Sequence, residues 1–538
     1  MKPAVKIAIY LLGMASIAVC SEWNSTGDLI MALRSQSQWP PLALTRPQLN
    51  YFYDSPSFRI HYDKAGPYAV YHPDEDVNPM DGVPDYVNRM SEYLESSYDV
   101  YINGLGYDVP PPDEGSGGNN KYDIYVTDIT GRTVPEFPSN YYPGRMAYSA
   151  YSNIGNDLRT HNHPDDPLPF LKATCAHEYF HAVQMAYRAY TDETSWWWYE
   201  LTATWAEEQV FDDLNEVYYY IRDYYDKINR SLYLTGGDQM YGAWVFAEYL
   251  SENYGSEIIK SVFERLITLD LSLYAIEATL DHYGLSLGEC FSRFSVWNYF
   301  TGINWRPGFF EEGMDFPVSV PIAMSHNTYP TPLIETPKAV ENLGCAYIFF
   351  ANPNIAKANL TICFAAYDHP LDLALEIIYN NRPPVYCLRK VEQSSQVTIR
   401  ILDFINTDGV VMAINWPYQG MTIYDSAGYS YFAAIDTLAS GLDDQYSEIP
   451  DEFEMMNIYP NPFNSSCRLN FSWNLAPVDY TIRIYDIGGR LVDSFGGHAD
   501  KGDNQSTWTP RSDFAGGVYF YRLSIGGVES AGKMVYLK

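Results

Sequence analysis

His177-Glu178-Tyr179-Phe180-His181 sets two histidines four residues apart with a glutamate beside the first. On a helix, residues at that spacing share a face, so both imidazoles can reach one zinc ion while Glu178 stands next to the water that ion activates. The flanking text predicts the helix. Leu171 to Tyr190 contains neither Pro nor Gly, and Leu171, Ala176, Phe180, Val183 and Tyr187 leave an apolar stripe beside the histidines. Pro164, Pro167 and Pro169 lie upstream, where proline suits a helix start but not its interior. Cys175 falls on the same helix facing away from the histidine pair, as a packing residue.

A tetrahedral catalytic zinc needs three protein ligands and one open position. A third histidine six residues after the second, following a glycine, is one source, but those positions hold Gln184 and Tyr187. A glutamate on a second helix is the other. Glu200 opens Glu-Leu-Thr-Ala-Thr-Trp-Ala-Glu-Glu behind Trp196-Trp197-Trp198-Tyr199, and Glu207, two turns on, shares its face as a rival ligand or as a partner orienting a histidine. Asp192 and Glu193 read as the turn between the helices, and Glu208 as a solvated charge.

HExxH, eighteen residues, then a glutamate with a small residue at plus three resembles the gluzincin metallopeptidases, the group of thermolysin and aminopeptidase N. The resemblance implies zinc on His177, His181 and Glu200, with Glu207 kept as the alternative to Glu200. It implies Glu178 as the base that takes a proton from water and returns it to the leaving amine. Relatives add a Tyr or His at the developing oxyanion, for which Tyr241 is the candidate ahead of His282. The chain has 49 tyrosines, so residue type alone singles out none of them. Aminopeptidases of the group carry a Gly-x-Met-Glu-Asn-type motif before HExxH. Gly144-Arg145-Met146-Ala147-Tyr148-Ser149-Ala150-Tyr151 lacks that Glu, which favours an endopeptidase with residues 144–151 as the sheet-edge strand that pairs with substrate, an ordinary buried strand being the alternative.

The wider chain reads as an α+β multidomain protein. Phe58 to Tyr62 and Tyr122 to Asp128 are strand-like, with a helix from about Pro84 to Leu105 between them. Glu216 to Asn229, Gly242 to Asn253, Ile258 to Leu269 and Ser286 to Phe300 are helical in pattern. A sheet-bearing lobe and a helical lobe with the site between them match the thermolysin-like two-lobe architecture that the resemblance implies. Between them these spans give a metallopeptidase domain over 51–316. Short strands at regular spacing then predict a β-sandwich over 317–435, and the acidic stretch 436–455 reads as a linker.

Residues 456–538 carry a second resemblance. Tyr459-Pro460-Asn461-Pro462-Phe463-Asn464, Tyr485-Asp486-Ile487-Gly488-Gly489-Arg490, Gly517-Val518-Tyr519 and a final strand bearing Lys533 resemble the immunoglobulin-like sorting domain of type IX secretion cargo. That implies the type IX machinery as a partner and a secreted or surface-anchored destination. At the other end, Lys2, Lys6, an apolar run from Ile7 to Ala18 and small residues to Cys20 form a signal peptide over 1–20, with a faint lipoprotein pattern at Cys20. Residues 21–50 read as a pro-segment or surface arm.

Lys+Arg of 34 against Asp+Glu of 67 gives a net charge of −33, which repels nucleic acid and anionic membranes. No later segment is apolar enough to span a membrane. Asp76, Asn78, Asp81 and Asp85 cluster around Gly82 as in calcium loops, with an acidic turn capping a helix as the alternative. Export permits disulfides among Cys345, Cys363 and Cys387. The expectation is a monomeric, secreted zinc endopeptidase acting on protein or peptide. The alternatives are a cell-surface binding or adhesion protein with an inactive peptidase-like domain, and a zinc hydrolase with a substrate other than protein.

Overall fold

A computed structural model describes residues 45–538, apart from 190–192, 354–358, 380–383, 403, 419, 421–424, 437–446, 450–452, 474–475, 487–489, 513 and 527. The signal peptide, most of the 21–50 segment, Asp192 and much of the acidic stretch lie outside the described residues.

The first sheet holds β1 (Tyr51–Asp54), β2 (Phe58–Tyr62), β3 (Tyr122–Thr127), β4 (Gly131–Pro138) and β5 (Tyr148–Gly155) in the order β1-β2-β3-β5-β4. The pairs β2·β3 and β3·β5 are parallel, while β4 returns antiparallel on β5. Helix α1 (Asp85–Tyr98) connects β2 to β3, and α2 (Leu168–Gln184) follows β5. β5 is buried at all eight positions because it lies inside the sheet, so 144–151 is not the edge. The edge is β4, whose Pro135 and Pro138 obscure it as a strand in the sequence. Proline has no N–H to donate to a ladder and is tolerated at sheet edges.

Helix α2 has almost no polar face: from Ala173 to Gln184 only His177 is not fully buried. It packs on α3 (Trp196–Phe211), whose first turn is the aromatic run Trp196 to Tyr199. The Tyr101 hydroxyl, from the π-turn after α1, lies 3.1 Å from the Ala176 carbonyl on α2 and 3.0 Å from the Ala206 carbonyl on α3. That fully buried ring ties the two helices together. Six further helices follow: α4 (Tyr218–Asp226), α5 (Asp238–Gly242), α6 (Trp244–Tyr254), α7 (Glu257–Leu266), α8 (Ser272–His282) and α9 (Leu287–Tyr299).

Two five-stranded sheets come next, built from β6 (Ile322–His326), β7 (Ile334–Glu335), β8 (Cys345–Ala351), β9 (Asn359–Ala366), β10 (Leu371–Tyr379), β11 (Val385–Val391), β12 (Gln396–Ile401), β13 (Thr407–Asn415), β14 (Tyr429–Asp436) and β15 (Ser447–Ile449), in the orders β11-β10-β13-β8-β6 and β15-β12-β9-β14-β7. They form the expected sandwich, but its outer face is not solvated. In β10 (Leu371–Tyr379), Leu371, Leu373, Leu375 and Ile377 join the sandwich core, while Ala374 and Ile378 join the core of the preceding domain, against α9. The acidic stretch is not wholly a linker. β15 pairs in parallel with β12 (Gln396–Ile401), and β16 (Phe453–Tyr459) already belongs to the last domain. That domain is a second sandwich of three- and four-stranded sheets, in which Phe463 of the Tyr-Pro-Asn-Pro-Phe-Asn motif is buried against Trp508 and Tyr536. The described cysteines, Cys345, Cys363 and Cys387 among them, are free thiols.

Residues 45–50 cross the outer face of the first sheet. Arg46 meets Asp113 at 2.8 Å and Asp123 at 2.6 Å and also pairs with Glu136 of β4, with its side chain only 10% exposed. The guanidinium stacks over Tyr151 as well. Removing it would leave three carboxylates without their cation. Arg46→Ala is expected to lose about 3–5 kcal/mol from the unfolding transition of this domain, measured by urea titration.

Candidate metal centre

Helices α2 and α3 bring His177, His181 and Glu200 to one point. The Nε2 atoms of His177 and His181 are 3.1 Å apart, and Glu200 Oε2 lies 3.4 Å from each. Ligands bonded tetrahedrally to zinc at 2.0–2.2 Å stand about 3.3–3.6 Å from one another, so this triangle has the dimensions of a zinc face. The donor set also fits: two imidazoles and one carboxylate, all on buried helices.

The outer ring nitrogens define the tautomers. Gln184 directs its amide nitrogen at the Tyr199 carbonyl (2.9 Å) and the Thr202 hydroxyl (3.1 Å). A carbonyl can only accept, so the amide oxygen must face His181 Nδ1, 2.9 Å away, and that nitrogen carries the proton. His177 Nδ1 lies 2.8 Å from Glu207 Oε1 and donates to it. Both Nε2 lone pairs are thereby aimed inward. Glu207 is therefore the orienting partner of His177, and Glu200 is the carboxylate in the triangle. The role of Gln184 was open to the sequence only as a polar residue one turn beyond His181.

Burial disfavours a charged His177, but hydrogen bonds to Glu200 and Glu207 and the nearby charge of Glu178 outweigh it and push its pKa up to about 10. Burial likewise works against a charged Glu200, yet the charges and hydrogen bonds of the two histidines pull it down to about 2. The metal-free centre thus holds a proton where a cation would sit.

Glu178 is aimed from α2 across the cavity towards β4. The Thr133 hydroxyl lies 2.8 Å from both the Glu178 carboxylate and its backbone carbonyl, and 2.7 Å from the Ser152 hydroxyl. β4 approaches α2 this closely because residue 131 is glycine. A Cβ there would stand 2.7 Å from Glu178 Oε1 and 2.8 Å from Thr174 Cγ2. A cavity of about 190 Å³ opens on these groups, lined by His177, Glu178, Glu200, Gly131, Tyr220 and Tyr241 among others. Tyr241, on α5, has its ring 6.0 Å from that of His177, and Tyr220 of α4 packs on it at 5.3 Å. Tyr220 carried no signal in the sequence, since one tyrosine in a run of three is indistinguishable from packing. His282 is an exposed residue at the end of α8, away from this cavity.

The acidic loop behaves differently. Asp76 accepts from the Asp81 and Gly82 amides, Asp85 from the Val77 and Asn78 amides, and Asp81 from the Val83 amide and the Asn88 side chain. Asp76, Asp81 and Asp85 are not among the described groups whose ligand atoms converge within 4.8 Å. The loop is a hydrogen-bonded turn leading into α1, with Asp76, Asp81 and Asp85 each accepting from backbone amides of the loop itself. Glu208 is also corrected: it is only 7% exposed, not a solvated charge.

The fold and the C-terminal domain define an exported multidomain protein. Residues 457–537 match the secretion system C-terminal sorting domain, so a type IX sorting domain is present and directs the protein to the cell surface or beyond. Residues 25–270, which contain the whole triangle, match a family of unknown function, DUF6055. No curated protein matches the chain. Among solved structures, a β-glucuronidase of Parabacteroides merdae is similar at 11% identity over 45% of this chain and 33% of its own, with a TM-score of 0.15. A Bacteroides uniformis β-glucuronidase is similar at 11% identity over 36% of this chain and 26% of its own (TM-score 0.15). Dimeric latent PorU from Porphyromonas gingivalis is similar at 12% identity over 33% and 29% (TM-score 0.16). This chain spans about a third or less of each, and at such scores the likeness carries no argument. Among the described residues, no helix is long and apolar enough to cross a membrane.

Glu207→Ala and Gln184→Leu are each expected to weaken zinc binding about 10- to 100-fold, read by competition with a chromophoric chelator, since each frees a ligand histidine to turn or change tautomer. Zinc uptake at pH 7 should also release about one proton from His177, because the metal and the proton compete for the same nitrogen. Calorimetric titration in two buffers of different ionisation enthalpy measures it. Affinity should fall as pH falls, since acid returns that proton.

Proposed function

We propose that residues 51–316 form a zinc-dependent endopeptidase with a gluzincin-type ligand set and a thermolysin-like arrangement of a sheet lobe and a helical lobe. The observation that carries the reading is the triangle of His177, His181 and Glu200 ligand atoms, with Glu178 opening on the same cavity. Zinc, when bound, would polarise the scissile carbonyl and lower the pKa of a bound water to about 7. The Thr133 hydroxyl holds the Glu178 carboxylate over the cavity, where it would serve as the base that takes a proton from water and returns it to the leaving amine. Tyr241 and Tyr220 line the same cavity and are the candidates to hydrogen-bond the oxyanion.

The edge strand favours peptide as substrate. β4 pairs with β5 alone among the described strands, and its first residue lines the cavity. An extended chain that adds to this edge would pass Glu178 and the ligand triangle. The type IX sorting domain places such an enzyme outside the cell, where protein substrates are met in bulk solution.

Glu178→Gln is nearly isosteric but cannot accept the proton. It is expected to lower kcat/KM on casein about 10²- to 10⁴-fold with zinc content unchanged by elemental analysis. Equal hydrolysis by both proteins would overturn the assignment of Glu178. A zinc-loaded wild type that cleaves neither casein nor a mixed peptide library would favour a binding protein with an inactive domain.

A further inference from the structure

A second polar cavity, of about 260 Å³, opens between the end of α3, the middle of α6 and the segment 309–316 that follows α9. Six carboxylates line it: Glu208 and Asp212, Glu248 and Glu252, Glu311 and Glu312. No lysine or arginine is among the lining residues. One side-chain oxygen each from Glu208, Asp212 and Glu312 lies within 4.8 Å of the other two. Carboxylates gathered this closely repel unless something positive lies between them.

Three of the six have a polar partner. Glu312 accepts from the Tyr218 hydroxyl at 2.6 Å, Glu252 from the Glu311 amide at 3.0 Å, and Glu248 from the Gln209 amide at 3.5 Å. Asp212 and Glu311 are exposed, but Glu208 is not. Its side chain is more than nine-tenths buried, lines the cavity, and is met by no donor or cation among the described residues. Burial and then the neighbouring carboxylates push Glu208 up to about 9 and Glu248 up to about 8. A buried, unpaired carboxylate facing like charges is costly on its own, and an exposed surface would hold the same residue at no cost.

We propose that this cavity is a calcium-class divalent cation site, with Glu208, Asp212 and Glu312 as its ligands, that pins segment 309–316 to α3 and α6. The chemistry is all oxygen, which suits a hard cation and not zinc. Oxygens bound to one calcium ion at 2.3–2.6 Å are at most about 5 Å apart, and the three ligand oxygens meet that limit. The site is separate from the zinc reading, but the two share α3. Glu208 directly follows Glu207, which holds His177, so a cation here would brace the end of the helix that orients the first centre. Its role is to fix the last part of the helical lobe before the chain enters the sandwich.

The probe is terbium on the zinc-loaded full chain, with Trp244, which lines the cavity, as sensitiser. Terbium emission should rise saturably and be displaced by calcium, and the thermal midpoint should rise with calcium concentration. E208Q and E312Q should each lose most of both responses and keep their zinc. Asp81→Asn, in the acidic loop, should keep both responses, and so should His181→Ala, which disables only the zinc centre. In calcium-free buffer E208Q should melt no lower than wild type, since Gln replaces a carboxyl that stays protonated there when no cation is bound, and this separates loss of a ligand from loss of the fold. No saturable terbium or calcium response in the wild type, or an undiminished one in E208Q and E312Q, overturns the proposal. A stability gain on mild acidification with no calcium effect would show a proton-sharing carboxylate cluster instead.

Discussion

The half of the molecule that carries the candidate metal centre depends on the contact between α2 and α3. Phe180 packs on Trp205 at that interface, and Tyr101 spans both helices, yet three polar atoms converge in the middle of it. Neutral imidazoles whose outer nitrogens are committed to Gln184 and Glu207 turn only lone pairs inward, towards a carboxylate that also offers lone pairs. Such a group is tolerable in an apolar interface only with positive charge at its centre, a proton or a metal ion. The pairing of the helices and the identity of the centre are therefore one problem.

The surroundings serve that contact. β4 crosses α2 close enough for Thr133 to hold Glu178, because glycine stands at 131, and Glu136 further along β4 is clamped by Arg46. On the other side the first sandwich buries one face of β10 against α9, so the sandwich is part of the same packed body. The sorting domain touches the helical lobe through Tyr485 on the Tyr283 carbonyl and Arg522 on the Tyr254 hydroxyl. Charge is unevenly managed in this body. The metal centre balances its carboxylates with imidazoles, whereas the cavity at Glu208 gathers carboxylates without any basic side chain.

What could be read from the chain follows the range of the forces involved. Helix α2, the helix behind the tryptophan run, the short strands of the first sandwich and the sorting motifs all rest on local patterns, and they appear where those patterns place them. The interval from His181 to Glu200 identified a carboxylate that does stand with the histidines. The failures involve residues whose role comes from distant partners. β4 was hidden by its two prolines, so 144–151 took the edge position that belongs to 131–138. Glu208 looked solvated because a helical pattern cannot show that α6 and segment 309–316 cover it.

By itself the sequence determined that two histidines would share one helical face with a glutamate beside the first, that a second helix would carry two acids on a common face, and that the C-terminal domain would direct export. These are consequences of helical repeat and short motifs, which do not need the rest of the molecule. Only the tertiary structure decided that Glu200 enters the triangle while Glu207 stands behind His177, that Gln184 sets the tautomer of His181, and that β4 is the open edge. Each of those depends on the distance and direction between groups from 3 to about 45 residues apart in the chain, which packing alone defines.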